Sequence, residues 1–177
     1  SAWLTLASFV GYAFIYTGYL KHATPQNIVI GGLSGAMPPL LGWSAVTGTI
    51  EPDALVLVLI IFAWTPPHFW ALAIHRKDEY AKSGVPMLPV THGEFVTKVH
   101  IIVYTVMLVI VSVFPYLSGM SGLLYLVSAL VLGFGFLAWS GLLMFKPKPT
   151  TAMDTFKYSI VYLTVLFVAL VADHYLF

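Results

Sequence analysis

Apolar residues run along this chain in long blocks, and polar ones collect at the joints between them. A helix needs roughly 20 mostly apolar residues to cross the hydrocarbon core of a bilayer. Six segments meet or approach that length: about Ala2 to Leu20, Asn27 to Val46, Ala54 to Ile74, two within Val99 to Phe145, and Phe156 to Ala172. The run from Val99 to Phe145 contains no Asp, Glu, Lys or Arg and is too long for one crossing. Pro115, Ser118, Gly119, Ser121 and Gly122 interrupt it and divide it into two helices. The predicted fold is all-α: one polytopic membrane bundle over residues 1–177 with about six transmembrane helices.

The charges test that division. Lys21 follows the first segment. Arg76, Lys77, Lys82 and Lys98 lie between the third and fourth, and Lys146, Lys148 and Lys157 around the junction of the last two. If every segment spans, all eight basic residues fall on one side, while Glu51, Asp53 and Asp173 fall on the other. That asymmetry obeys the positive-inside rule and predicts that the basic face is cytoplasmic, or matrix-facing in a mitochondrion. The residues from 76 to 98 are then expected as a cytoplasmic loop.

Composition agrees. The chain is 59% hydrophobic and 8% charged, against roughly 25% charged in soluble domains. A net charge of +1 without any basic run excludes a nucleic-acid footprint. There is no cysteine, hence no disulfide framework, thiolate metal site or thiol nucleophile. No basic region precedes the first apolar block and a lysine follows it, so no secretory signal is expected. The chain starts at Ser inside an apolar block, as expected if its natural N-terminus lies upstream.

Candidate chemistry gathers at the basic face. Tyr12, Tyr16 and Tyr19 share a helical face leading to Lys21: interfacial anchors beside a snorkelling lysine, or a polar wall beside an anionic substrate. Thr24 followed by Pro25 reads as a helix start. Gly31 and Gly35 have the small-xxx-small spacing that lets helix backbones approach closely, and a flat floor for a bulky ligand is the alternative. Pro66 and Pro67 sit inside a spanning helix, where freed carbonyls must be satisfied by protein or face a cavity. Trp64, His68 and His75 lie on one face of that helix. An intramembrane His is a functional candidate by default, with bonding to a freed carbonyl as its structural alternative. Arg76, Lys77, Asp78 and Glu79 are an ordinary solvated cluster taken alone. They also suit a magnesium–diphosphate site, since magnesium takes one or two carboxylates plus phosphate oxygens. Pro86-Met87-Leu88-Pro89 is a constrained turn able to fold back as a lid.

These motifs occur in a telling order: Tyr16-Thr17 with Lys21, Asn27 with Gly31-Gly32, Gly35-Ala36 with Pro38-Pro39, Trp64-Thr65-Pro66-Pro67-His68-Phe69, Glu79-Tyr80 through Gly84 to Val90, Phe156-Lys157-Tyr158-Ser159, and Asp173 to Leu176. Across essentially the whole chain they resemble the protoheme IX farnesyltransferases, or haem O synthases, a family of intramembrane aromatic prenyltransferases. The resemblance implies a nine-helix bundle, of which these six would be the fourth to ninth. It implies magnesium-dependent transfer of farnesyl from farnesyl diphosphate to a vinyl group of haem B, through an allylic carbocation and addition of water. The family's first acidic motif and first three helices are not among these residues, so the chain is expected to be inactive alone. Asp78 and Glu79 would bind magnesium, and Lys21 and Arg76 the diphosphate, helped by Tyr80. His68 would meet the haem, with Trp64, Phe69 and Tyr16 lining the haem or prenyl site. Two positions depart from the pattern: His22 stands where many relatives have Arg, and Glu79 where others have Asp. Competing readings are a related prenyltransferase with another acceptor, such as a quinone precursor, or a non-catalytic haem-handling or transport protein.

Overall fold

The structure is a computed structural model that describes residues 2–10, 13 and 24–176. The described residues are helical throughout, joined by short turns. In chain order they form α1 (Ala2–Val10), α2 (Asn27–Gly35), α3 (Pro38–Thr47), α4 (Pro52–His75), α5 (Lys77–Lys82), α6 (Leu88–Thr91), α7 (Gly93–Val111), α8 (Phe114–Leu117), α9 (Leu123–Phe145) and α10 (Thr151–Leu176).

Five spans among the described residues are long and apolar enough to cross a membrane: 27–47, 52–75, 93–117, 123–145 and 151–176. Of the sixth expected crossing, from Ala2 to Leu20, residues 2–10 form α1 and residue 13 is described, while the others lie outside the described residues. Outward-facing stripes fit a lipid setting: Val99, Val103, Val106 and Ile110 recur at helical spacing along α7 and are all exposed. Water would penalise such a stripe, whereas lipid tails are as apolar as the side chains. The protein is therefore an integral membrane protein.

Element boundaries follow local chemistry. Thr24 does not cap α2 directly. Its hydroxyl accepts from Gln26 N (3.2 Å) and its carbonyl from Asn27 N (3.2 Å), so a turn through Pro25 precedes the helix. The first spanning unit breaks at Ala36 and Met37, because Pro38 and Pro39 supply no amide hydrogens to carry the ladder across. The last helix begins at Thr151 rather than near Phe156. Thr151 Oγ1 accepts from Lys148 N (2.9 Å), and Thr155 Oγ1 donates to Thr151 O (2.7 Å), so polar residues build turns that apolar content alone would miss.

α4 is the central element, packing against α2, α3, α7 and α10. Its middle joins a core of Leu57, Ile60, Ala63, Leu108, Phe136, Tyr162 and Leu166. Within this core the Ser112 and Tyr162 hydroxyls pair at 2.7 Å, tying α10 to the end of α7. Tyr162→Phe is expected to lower stability by about 1 kcal/mol, the net value of a buried hydrogen bond, measurable by thermal unfolding in detergent. At the acidic end, Asp173 of α10 accepts from the amides of Gly122 and Tyr125 and from the Ser121 hydroxyl. One buried carboxylate thus satisfies amides at the start of α9, where the helix dipole favours negative charge.

A second core closes the basic end. Ile28, Trp70, Ala73, Ile101, Leu143 and Ala152 surround Met87 and Leu88. The turn after α5 therefore folds back into the bundle and is anchored there: Met87 and Leu88 are 3% and 2% exposed. Gly84 adopts φ +67°, a left-handed conformation that costs a residue with a Cβ roughly 1–2 kcal/mol. That reversal sends Val85 to Met87 back toward the core.

Candidate active site at the basic end

α4 runs unbroken from Pro52 to His75 through Pro66 and Pro67. Beside the prolines, the Thr65 hydroxyl donates to Ile61 O at 2.8 Å, giving this stretch extra local bonding. His68 does not take a freed carbonyl. Its Nδ1 lies 2.6 Å from the hydroxyl of Ser159 on α10. The imidazole is stacked between Trp64 (centroids 4.1 Å, 20°) and Phe156 (4.5 Å, 26°), with the Phe69 edge at 4.9 Å. Trp64 is held from the same residue: its Nε1 donates to Ser159 O at 2.7 Å. α4 and α10 thus meet in a layered aromatic cluster around one buried histidine.

On the neighbouring side of α4, Ile61, Trp64, Thr65 and Phe69 face Ile28, Gly31, Gly32 and Gly35 of α2 across a cavity of about 250 Å³. The glycines divide in role. A Cβ on Gly32 would fall 2.9 Å from Thr65 Cγ2, so Gly32 is a close-packing residue. A Cβ on Gly35 would meet nothing within 4 Å, so Gly35 leaves the cavity open. The close approach expected from the Gly31–Gly35 spacing is thus made at Gly32 and not at Gly35.

One step beyond His75, the chain turns into α5, which carries Asp78 and Glu79 in its first turn. Both carboxylates are exposed. Glu79 Oε2 lies 3.8 Å from Arg76 Nη1, a loose surface pair. Glu94, at the start of α7, draws Lys77 (3.4 Å) and Lys98 (3.5 Å) together. This small network bridges α5 and α7; the exposed Lys77 pair is worth roughly 0–1 kcal/mol, while the Lys98 side chain is half-buried. Tyr80 is half-buried and packs on the core that holds Met87. Lys21 and Tyr16, expected at this site, lie outside the described residues, as do Tyr12, Tyr19 and His22.

No cluster of three or more His, Cys, Asp or Glu side chains able to hold a metal occurs among the described residues. An all-protein metal cage is thus not built from them. Two adjacent exposed carboxylates do fit the way magnesium is bound, with substrate phosphates completing its oxygen shell. Along the helix axis, His68 and Arg76 are separated by roughly 12 Å at 1.5 Å per residue.

The structure thus gathers Trp64, His68 and Phe69 at one level of α4, Arg76 at that helix's basic end, and Asp78, Glu79 and Tyr80 on α5 just beyond it. Ser159 and Phe156 were not singled out for chemistry by the sequence, although both stand in the motif of the last helix. The available signal for Ser159 was a small hydroxyl within a spanning helix, although Tyr158, Tyr162 and Thr164 on the same helix make it a weak one.

Residues 1–171 match the model of the UbiA prenyltransferase family. Curated relatives include the protoheme IX farnesyltransferases of Hahella chejuensis, 64% identical, and Ectopseudomonas mendocina, 68% identical, each over 99% of this chain and 59% of the relative. That of Marinobacter nauticus is 66% identical over 100% of this chain and 59% of the relative. The chain therefore spans about three-fifths of the length of the curated relatives it matches. A solved structure of a digeranylgeranylglyceryl phosphate synthase superposes with a TM-score of 0.83 at 21% identity, covering 96% of this chain and 61% of that one. At that identity the likeness establishes the shared fold.

Proposed function

From a chain that belongs to the UbiA prenyltransferase family, we propose a protein that transfers the farnesyl group of farnesyl diphosphate to a vinyl group of haem B, giving haem O. The observation that carries this reading is the 64–68% identity to protoheme IX farnesyltransferases over nearly every residue of the chain. The geometry supports it through an acidic pair just beyond the basic end of α4, and an aromatic cluster and an apolar cavity about two turns further along that helix.

The diphosphate sits at the basic end. Arg76 offers a planar fork of donors suited to phosphate oxygens. Lys21 adds a second positive charge and Tyr80 a hydroxyl. Asp78 and Glu79 would hold magnesium there, which when bound would supply positive charge for the departing diphosphate. The prenyl chain lies in the cavity between α2 and α4, where Gly35 leaves room and Ile61, Trp64 and Phe69 supply apolar walls. The farnesyl C–O bond breaks and diphosphate leaves with the electron pair. The vinyl π electrons then bond to the allylic carbon. Water captures the cation formed on the haem side chain and loses a proton, leaving a hydroxyethylfarnesyl group. His68 meets the haem, with Trp64 and Phe156 holding its imidazole. The basic end faces the cytoplasm.

Labelled farnesyl diphosphate, supplied to membranes containing the full-length protein, tests acceptor and chemistry together. Label appearing on haem only when magnesium and haem B are present is the expected outcome. Label moving to a quinone precursor instead would replace the acceptor. Label recovered as intact farnesyl diphosphate would remove the transfer reaction.

A further inference from the structure

The stacked cluster contains a proton count that fixes the state of His68. Ser159 Oγ lies 2.6 Å from Phe156 O and 2.6 Å from His68 Nδ1. A carbonyl oxygen only accepts, and a serine hydroxyl carries one proton. If that proton is donated to Phe156 O, Nδ1 must be the donor to Ser159 Oγ. The opposite choice, Ser159 donating to Nδ1, would leave two acceptor oxygens facing each other at 2.6 Å without a proton between them. In a neutral imidazole the Nδ1–H form satisfies both contacts, and the other nitrogen, Nε2, then carries the lone pair. Which ring nitrogen is protonated is set by the bond the other one makes.

Nε2 is available for that use. It makes no hydrogen bond among the described residues, and it is not one of their fully enclosed unpaired polar atoms, in contrast to Trp70 Nε1 and the Tyr125 hydroxyl. Stacking between Trp64 and Phe156 prevents the ring from turning over, and the bond from Trp64 Nε1 to Ser159 O holds the stack itself. Ser159 therefore controls both the orientation of the ring and its tautomer, from a different helix.

We infer that Ser159 is a positioning residue: its hydroxyl holds His68 in the Nδ1–H form so that Nε2 presents a lone pair to the iron of the acceptor porphyrin. This rests on the reading of His68 as the haem contact given above. It follows the usual second-layer arrangement in which a ligating imidazole donates its remote N–H to an oxygen, which fixes ring orientation and raises ligand basicity.

Two measurements on the full-length protein separate this inference from the reading beneath it. The ¹⁵N spectrum of histidine-labelled protein, with the His68 signal identified by its loss in His68→Ala, reports the tautomer directly. Nδ1 protonated in the native protein and mixed protonation in Ser159→Ala is the expected result. Nε2 protonated in the native protein would overturn the inference, whether or not His68 meets haem. Haem B titration followed by absorption then reads the consequence. Ser159→Ala should weaken binding by roughly 3–10-fold, the size of one lost neutral hydrogen bond, and Ser159→Thr should restore most of it. If His68→Ala leaves the bound-haem spectrum and affinity unchanged while the tautomer is as expected, the haem contact fails and the purpose assigned to Ser159 fails with it.

Discussion

Replacing Asp78 by Asn together with Glu79 by Gln in the full-length protein is expected to lower farnesyl transfer by roughly 1,000-fold or more, while the protein still folds. Charge stabilisation of a leaving group is commonly the largest single contribution to such a reaction, and losing one well-placed element of it costs about 100–1,000-fold. Here both carboxylates proposed to hold the ion would be neutral. The fold should hardly respond, because both side chains are exposed. Asp78 has no ion pair among the described residues, and the one pair made by Glu79, to Arg76, is loose at 3.8 Å. Exposed pairs of that kind stabilise by at most about 1 kcal/mol. Turnover measured against magnesium concentration, beside thermal unfolding of the same preparation, separates the two effects. Unchanged turnover with unchanged magnesium dependence would remove Asp78 and Glu79 from the site.

Gly32→Val should be far more disruptive than the same change at Gly35, whose Cβ would meet nothing within 4 Å. The added Cβ would lie 2.9 Å from Thr65 Cγ2 and 3.2 Å from Thr65 Cβ. Thr65 cannot easily yield. It is β-branched on a helix, so its χ1 is restricted, and its hydroxyl is committed to Ile61 O at 2.8 Å beside the two prolines. The strain must therefore move α2 away from α4, at a cost of about 1–3 kcal/mol. The same movement would reshape the cavity between these helices, so prenyl transfer should fall as well. Gly42→Ala is the control: its Cβ would meet nothing within 4 Å, and no loss of stability is expected. Thermal unfolding of the two variants in one detergent reads the difference. Equal stability for both would show that α2 and α4 tolerate a wider separation than their packing implies.

The spanning segments were legible in the sequence because a bilayer demands long apolar blocks and concentrates charge at their ends. Each described crossing lies where the apolar pattern placed one, and the Pro115 to Gly122 region indeed divides the long uncharged run. Helix ends outside the apolar zone were less visible. Thr151 to Thr155 belong to α10 through hydroxyl contacts that a hydropathy pattern does not register. Likewise, residues 93–98 form the start of α7 rather than the end of a loop. The Pro86 to Pro89 turn does fold back, as its composition allowed, but its apolar Met87 and Leu88 anchor it in the core.

At the site, the sequence supplied the individual residues and the structure supplied their partners. His68 stood out as an intramembrane titratable group, and Trp64 and Phe69 are its near neighbours in the chain. Its bond to Ser159 spans two helices 91 residues apart in sequence, a contact no local spacing encodes. The same holds for Glu94 on α7 reaching Lys77 on α5, whereas its pair with Lys98 is an i,i+4 contact within one helix that local spacing does encode.

The central claim is tested most directly by the haems themselves. Membranes free of endogenous haem O synthesis, carrying the full-length protein and supplied with haem B, farnesyl diphosphate and magnesium, would be extracted and the haems identified by chromatography and mass. Haem O that requires both farnesyl diphosphate and magnesium is the predicted result. Haem B alone, from a protein shown to be folded and inserted, would contradict it.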